Sequence, residues 1–426
     1  MKQKRILELI IASCFLIVTL IGSSQQVFAD TPNDFNIGNY QADAKAAVVL
    51  DAQSGQVLYA KQAHEVLPVA SMSKMLSLYL VLQAIHQGRL QWSDTVTPNE
   101  AQANLSKQTE LSNVPLTANT AYTVADLYQA SWIYSANVAV MLLAQKVAGS
   151  QEAFVQQMNA QLQRWGVKDA QIVNVSGLNN DLLGDLQTNG TAPHAENELS
   201  AYEVALIAQH LLQDYPEVLQ TTKLASATFA KGQADQTDMK NWNLLLPGNA
   251  LADDNLPVDG LKTGTSDAAG ECFTATLPVG KRRLISVVMN AHGASADKSK
   301  RFVATKNLLT QVLDHWQYQI LTTKNQALPG QPRLQIKNGV QQHVTLVAKQ
   351  NFSLWQPKAE PAQGHVQLNK RVVEAPVAKT KIVGYFQLGN QAHFVSNPAS
   401  IQIGTRTKVQ RLPWYQIFWR QLQSIF

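Results

Sequence analysis

The chain has 426 residues, 45% of them apolar and 15% charged, with a formal net charge of +5. These values exclude large-scale disorder, leave room for two domains with sizeable cores, and give too little and too evenly spread positive charge for nucleic-acid binding. Cys14 and Cys272 are its two cysteines, so stability must come from packing and not from a disulfide framework.

Lys2, Lys4 and Arg5 precede an apolar run from Leu9 to Ile21, followed by Ser23, Ser24 and the small-residue pattern Val27-Phe28-Ala29. This reads as a secretory signal over residues 1–29, cut after Ala29, which lowers the charge to about +3 and leaves Cys272 alone. The competing reading, an uncleaved anchor, meets an apolar run shorter than the roughly 20 residues a spanning helix needs. Ile11-Ala12-Ser13-Cys14 superficially matches a lipoprotein cleavage box, but Phe15-Leu16-Ile17-Val18 continues the apolar run past it.

Two short strands around a turn follow, Ala46 to Asp51 and Gln56 to Tyr59, with Gly55 at the turn. From Ser71 to Gln87 the apolar spacing predicts a buried helix stopped by Gly88, with Ser71 in its first turn. Helical patterning returns over about 123–165, interrupted near Ser135. Val258–Lys262, Cys272–Thr276 and Arg283–Met289 are spaced as successive strands, and a last helix is expected from Phe302 to about Tyr318. Composition shifts at Gln326-Ala327-Leu328-Pro329-Gly330, and the alternating runs beyond predict a small all-β sandwich over 326–412. Past Pro413, residues Trp414, Tyr415, Ile417, Phe418, Trp419, Leu422, Ile425 and Phe426 share one side of a helix, with Arg406, Lys408 and Arg411 just upstream. That amphipathic segment, 413–426, suits a membrane surface; docking on the β-domain is the alternative.

Three tetrad-scale motifs stand in order: Ser71-Met72-Ser73-Lys74, Ser135-Ala136-Asn137 and Lys262-Thr263-Gly264-Thr265. Each alone is weak; the ordered set, with helix and strand signals in the right places, points to serine acyl transfer. A serine hydroxyl needs a base in reach, and Lys74, three residues on along a helix, can supply it if burial beside another cation lowers its pKa. Lys262 supplies that charge and helps hold an anionic substrate. The Ser135 hydroxyl can relay a proton to the leaving amine, and the Asn137 amide can orient a peptide group. Thr263 and Thr265 offer hydroxyls along a strand edge, and the backbone amides of Ser71 and Thr265 would form the oxyanion hole.

Pro68 to Lys74, Tyr134 to Asn137 and Val258 to Thr265 resemble the nucleophile, second and third motifs of low-molecular-mass penicillin-binding proteins that act as serine-type D-alanyl-D-alanine carboxypeptidases. Val175-Ser176-Gly177-Leu178, Asp267-Ala268-Ala269-Gly270 and Glu374-Ala375-Pro376-Val377 echo the same family, and the likeness runs from about Ala46 to Phe426. It implies an α+β fold. A penicillin-recognising, β-lactamase-like transpeptidase domain over 30–325, an antiparallel sheet flanked by helices with a helical subdomain, precedes the sandwich and the tail helix. It also implies that Arg301 receives the substrate's terminal carboxylate, that the substrate is a peptidoglycan stem peptide, that β-lactams inhibit covalently, and that the enzyme works exported, at the outer face of the cytoplasmic membrane. The chain departs from the family at Val138, where many relatives carry Asp.

A class A β-lactamase is the first alternative, with Glu196-Asn197-Glu198 as its glutamate loop, though that segment lies about 60 residues past Ser135, farther than such a loop usually does. A non-catalytic penicillin-sensing or wall-binding protein is the second, against which Ser71 and Lys74 both stand. The nine histidines show no H-x-x-x-H or H-x-H pair and no glycine-rich phosphate loop is present, so neither metal nor cofactor is expected.

Overall fold

A computed structural model describes residues 34–423 except 189, 294–296, 329, 360–363, 380, 389–392 and 395–399. The expected signal segment, and Ile425 and Phe426 of the tail, lie outside the described residues. The hairpin predicted at the start is β1 (Ala44–Asp51) and β2 (Gln56–Lys61), turning through Gly55 at φ +70°. Alternation along β1 sends Ala46, Val48 and Leu50 into one core and Ala47 and Val49 into another, so the strand is buried on both faces.

The nucleophile segment differs in detail from a single helix. Ala70–Ser73 forms a 3-10 turn, and the α-helix α1 runs Lys74–His86. Met75, Leu76, Leu78, Leu80, Val81 and Leu82 bury α1 on nearly all sides, as expected of a central helix, and Gly88 at φ +70° ends it by returning its amide to the Ile85 carbonyl at 2.9 Å. The helical text beyond resolves into α2 (Val124–Ile133), α3 (Asn137–Ala148) and α4 (Gln151–Arg164), with α5 (Ala201–Asp214) after them. Residues of all five helices join β1 in the first core.

The three late strands are β3 (Gly260–Ser266), β4 (Gly270–Val279) and β5 (Arg282–Ala291), antiparallel neighbours in the order β2-β1-β5-β4-β3, which leaves β3 at the sheet edge. Helix α6 (Lys300–His315) covers the opposite face through Phe302, Leu308, Leu309 and Val312. The helix expected to reach Tyr318 stops at His315. Trp316 opens strand β6 (Trp316–Thr322), which pairs with β9 (Phe352–Pro357), so its backbone hydrogen bonds go to a partner strand instead of a further helical turn.

The C-terminal part is all β apart from its tail. Strands β7 (Arg333–Lys337), β8 (His343–Ala348), β10 (Gly364–Leu368), β11 (Val372–Glu374), β12 (Ile382–Leu388) and β14 (Ser400–Thr405) form a six-stranded sheet ordered β10-β12-β14-β8-β7-β11, and β13 (His393–Phe394) lies outside it. Phe352 and Leu354 of β9 share one core with Leu334, Leu346, Ile401 and Ile403, so two sheets enclose it. Strand β13 leaves this part to pair with β2. Beside it Trp355 donates Nε1 to the buried carboxylate of Asp51 at 2.8 Å and exchanges two hydrogen bonds with Gln56, while Arg282 pairs with the same Asp51. A buried carboxylate held by both a guanidinium and an indole is compensated, so this contact joins the two parts at no unpaired-charge cost. The tail helix α7 (Trp414–Gln423) buries none of its residues.

Candidate active site

The 3-10 turn is forced by what packs on it. Ala70 sits at φ +45°, and a Cβ on Gly177, itself at φ +77°, would lie 2.0 Å from the Ala70 carbonyl oxygen. Gly264 in β3 packs on the other side, where a Cβ would lie 2.6 Å from the Val69 carbonyl oxygen. Glycine at both places lets the loop and the edge strand close on the turn that carries Ser71.

Lys74 enters this junction fully buried. Its Nζ donates to Ser71 Oγ, to Asn137 Oδ1 and to the Ser176 carbonyl, each at 2.7 Å. Burial, then the nearby charge of Lys262, holds its pKa well below that of an ordinary lysine. In the neutral form that a general base requires, the amine keeps two of these as donations, to Asn137 Oδ1 and the Ser176 carbonyl, and its lone pair faces the Ser71 hydroxyl as acceptor.

Sequence reasoning did not find what holds the acceptors. Asn174 Oδ1 accepts the Ser176 amide at 3.0 Å and the Gly177 amide at 2.7 Å. Asn197 in turn accepts the amides of Val173 and Asn174 and donates to the Asn174 carbonyl at 2.8 Å. The Ser176 carbonyl thus reaches Lys74 from a loop braced by two asparagine side chains. The Val175-Ser176-Gly177-Leu178 echo was the available signal, and it named the loop without the asparagines that brace it.

Ser135 occupies the break between α2 and α3 at φ +59°, 4% exposed. Asn137 starts α3; besides accepting from Lys74 it donates Nδ2 to the Ser112 carbonyl at 3.0 Å. At the departure from the family pattern, buried Val138 gives its amide to Asn113 Oδ1 at 2.9 Å, so that helix start is capped without an aspartate.

On β3, Lys262 is buried and donates to the Thr263 carbonyl at 3.0 Å. Burial, then the charge of Arg301, pushes its pKa down to about 7. Thr265 is exposed; its hydroxyl accepts from Arg301 Nη1 at 2.8 Å and donates to Glu271 Oε2 at 2.9 Å. Arg301 is 4% exposed, pairs with Glu271, and gives Nη1 to the Gly264 carbonyl at 3.1 Å. Glu271, opposite Thr265 in the β3–β4 register, was not singled out from sequence because nothing local marks it. Glu196, which a β-lactamase would use on water, instead accepts from Ser266 Oγ at 2.7 Å. Among the described residues no group of three or more His, Cys, Asp or Glu is placed to hold a metal.

A serine hydroxyl against a buried lysine, faced by a cation-bearing edge strand between a sheet and a helical bundle, defines an acyl-transfer enzyme of the nucleophilic-serine class. Residues 32–293 match the model of peptidase S11, D-alanyl-D-alanine carboxypeptidase. D-alanyl-D-alanine carboxypeptidase DacC of Escherichia coli is 30% identical over 358 residues, 82% of this chain and 81% of that one. Among solved structures, the peptidoglycan synthesis regulatory factor PBP3 of Streptococcus pneumoniae aligns with a TM-score of 0.71 at 32% identity, covering 87% of this chain and all (100%) of that one. Penicillin-binding protein D2 of Listeria monocytogenes, in its ampicillin-bound form, aligns with a TM-score of 0.52 at 29% identity over 65% of this chain and 99% of that one. The chain belongs to the S11 family and is a serine-type D-alanyl-D-alanine carboxypeptidase.

Proposed function

We propose that Ser71 is the nucleophile, Lys74 its general base and Ser135 the relay, acting on the terminal D-alanyl-D-alanine of peptidoglycan stem pentapeptides. Lys74 takes the proton of Ser71 as Oγ attacks the penultimate D-alanyl carbonyl, and the amides of Ser71 and Thr265 hold the oxyanion. The proton passes through Ser135 to the leaving nitrogen, and D-alanine departs. Water, deprotonated by Lys74, then cleaves the acyl ester and restores Ser71. Asn137 orients the peptide, while Lys262, Thr263, Thr265 and Arg301 hold its terminal carboxylate. The single observation that carries this reading is the 2.7 Å contact between the buried Lys74 amine and Ser71 Oγ.

β-Lactams present a strained amide to the same hydroxyl, and their leaving nitrogen stays tethered, so they acylate Ser71 and persist. The ampicillin-bound form of the Listeria protein supports this part. Intact mass after mixing with benzylpenicillin tests it: a long-lived adduct is expected, whereas rapid drug hydrolysis with a vanishing adduct would mark a β-lactamase, and no adduct a binding protein.

The two lysines impose opposite pH limbs. Neutral Lys74 is the base, so acylation grows as pH rises through its depressed pKa. Cationic Lys262 meets the carboxylate, so kcat/KM for the free enzyme falls above about pH 7. A bound carboxylate favours the charged lysine, so the alkaline fall in kcat lies at higher pH than that in kcat/KM. Lys262→Arg, which stays charged, should abolish the alkaline limb. An alkaline limb unmoved in Lys262→Arg contradicts this assignment.

Trimming the stem removes the donor D-alanine and so limits cross-linking. We place this work at the outer face of the cytoplasmic membrane, held there by α7. Trp414 is 80% exposed and Trp419 63%, Phe418 stands beside them, and Arg420 reaches back to the Gly339 carbonyl at 3.0 Å. An aromatic face open to solvent above a basic approach suits the lipid interface, and no helix among the described residues is long and apolar enough to cross a membrane. Deleting residues after Leu412 should move the protein from the membrane pellet to the supernatant and leave turnover of a soluble peptide intact. Continued sedimentation of the truncated form would assign the attachment elsewhere.

A further inference from the structure

The cradle read above as the receiver of the substrate's terminal carboxylate already holds a carboxylate of the protein. Thr265 has one hydroxyl proton, and it is given to Glu271 Oε2 at 2.9 Å. The Arg301 Nη1 group pairs with that same Oε2 and donates to the Thr265 oxygen at 2.8 Å. The three groups close a ring in which both donors needed by an incoming carboxylate converge on one oxygen of Glu271.

The arrangement is built, not a surface accident. The side chains of Arg301 and Glu271 are each 5% exposed, while Thr265, which connects them to the cleft, is exposed. Arg301 Nε is buried without an acceptor, so its present orientation leaves one donor unused. A guanidinium holding a carboxylate usually does so with two parallel N–H donors. Turning Arg301 toward a second carboxylate would recover that geometry.

We propose that Glu271 is a resident carboxylate in the terminal-carboxylate subsite, a specificity-determining residue that the substrate's own carboxylate displaces from Thr265 and Arg301. Binding is then an exchange of one anion for another, and the net gain from the substrate carboxylate is reduced by what Glu271 gives up. The inference rests on the assignment of Thr265 and Arg301 to that carboxylate. It predicts that the charge of Glu271 weakens the enzyme's preference for a free C-terminus.

The test compares wild type with Glu271→Gln on a stem-type peptide ending in D-Ala-D-Ala, as the free acid and as the C-terminal amide. Glutamine keeps the shape but loses the charge, so KM for the free acid should fall about tenfold, the worth of one charge-assisted hydrogen bond, with a smaller change in kcat and little change in KM for the amide. Because Arg301 loses its buried counter-charge, Glu271→Gln could unfold; Glu271→Asp keeps the charge but withdraws the carboxylate from the Thr265 hydroxyl, and should lower KM for the free acid by a smaller factor. A rise in KM for the free acid in the folded variant, or equal changes for acid and amide, overturns the proposal. Wild-type enzyme that does not distinguish acid from amide overturns instead the subsite reading beneath it.

Discussion

Ser71→Ala abolishes D-alanine release and penicillin acylation together, lowering turnover by at least ~10^4-fold, the scale seen when a catalytic serine is removed from a serine hydrolase. The fold should be untouched. Ser71 lies on a 3-10 turn set by the close approach of Gly177 and Gly264, and its Oγ accepts only one of the three hydrogen bonds that hold Lys74. Melting temperature together with the intact mass after benzylpenicillin separates the outcomes. An unchanged melt with no adduct is the expected result, and an adduct on the alanine variant would move the nucleophile elsewhere.

Lys74→Ala is the second large effect, with acylation slowed by ~10^3-fold or more as the base is lost. Here the structural consequence differs. Removal of the amine leaves Asn137 Oδ1 and the Ser176 carbonyl without their shared donor, but it also removes a buried amine whose charged form is disfavoured there. These act in opposite directions, so stability should change by only about 1–3 kcal/mol while acylation collapses. Lys74→Arg sharpens the point. Arginine retains donors but stays protonated, so it should be as inactive as alanine. The rate of benzylpenicillin acylation for both variants checks this, and near-normal acylation by the arginine form excludes a neutral amine at this position as the base.

What was legible in the sequence was local or ordered. The reach from Lys74 to Ser71 follows from three-residue spacing, the β1–β2 hairpin from alternation around Gly55, and the interruption between α2 and α3 from the change of pattern at Ser135. The strand edge expected at Thr263 and Thr265 from the third motif is there in the sheet order, which leaves β3 outermost. The misjudged end of α6 has a plain cause. Trp316 follows Val312 at helical spacing and is buried, yet strand alternation takes over from there, with Tyr318 and Ile320 exposed on β6. The unread parts were non-local. Asn197 braces the backbone at Val173 and Asn174, Asp51 meets Trp355 across most of the chain, and Glu271 meets Arg301 only because β4 and α6 pack together. None carries a motif, because an asparagine or glutamate acquires its role from partners that only the fold supplies.

The central claim is that this chain releases D-alanine through Ser71. Its most direct test is D-alanine release from a synthetic stem pentapeptide ending in D-Ala-D-Ala, measured for the intact protein beside Ser71→Ala. Release by the intact protein and none by the variant is the predicted result; equal release by both, or none from well-folded intact protein, would contradict it.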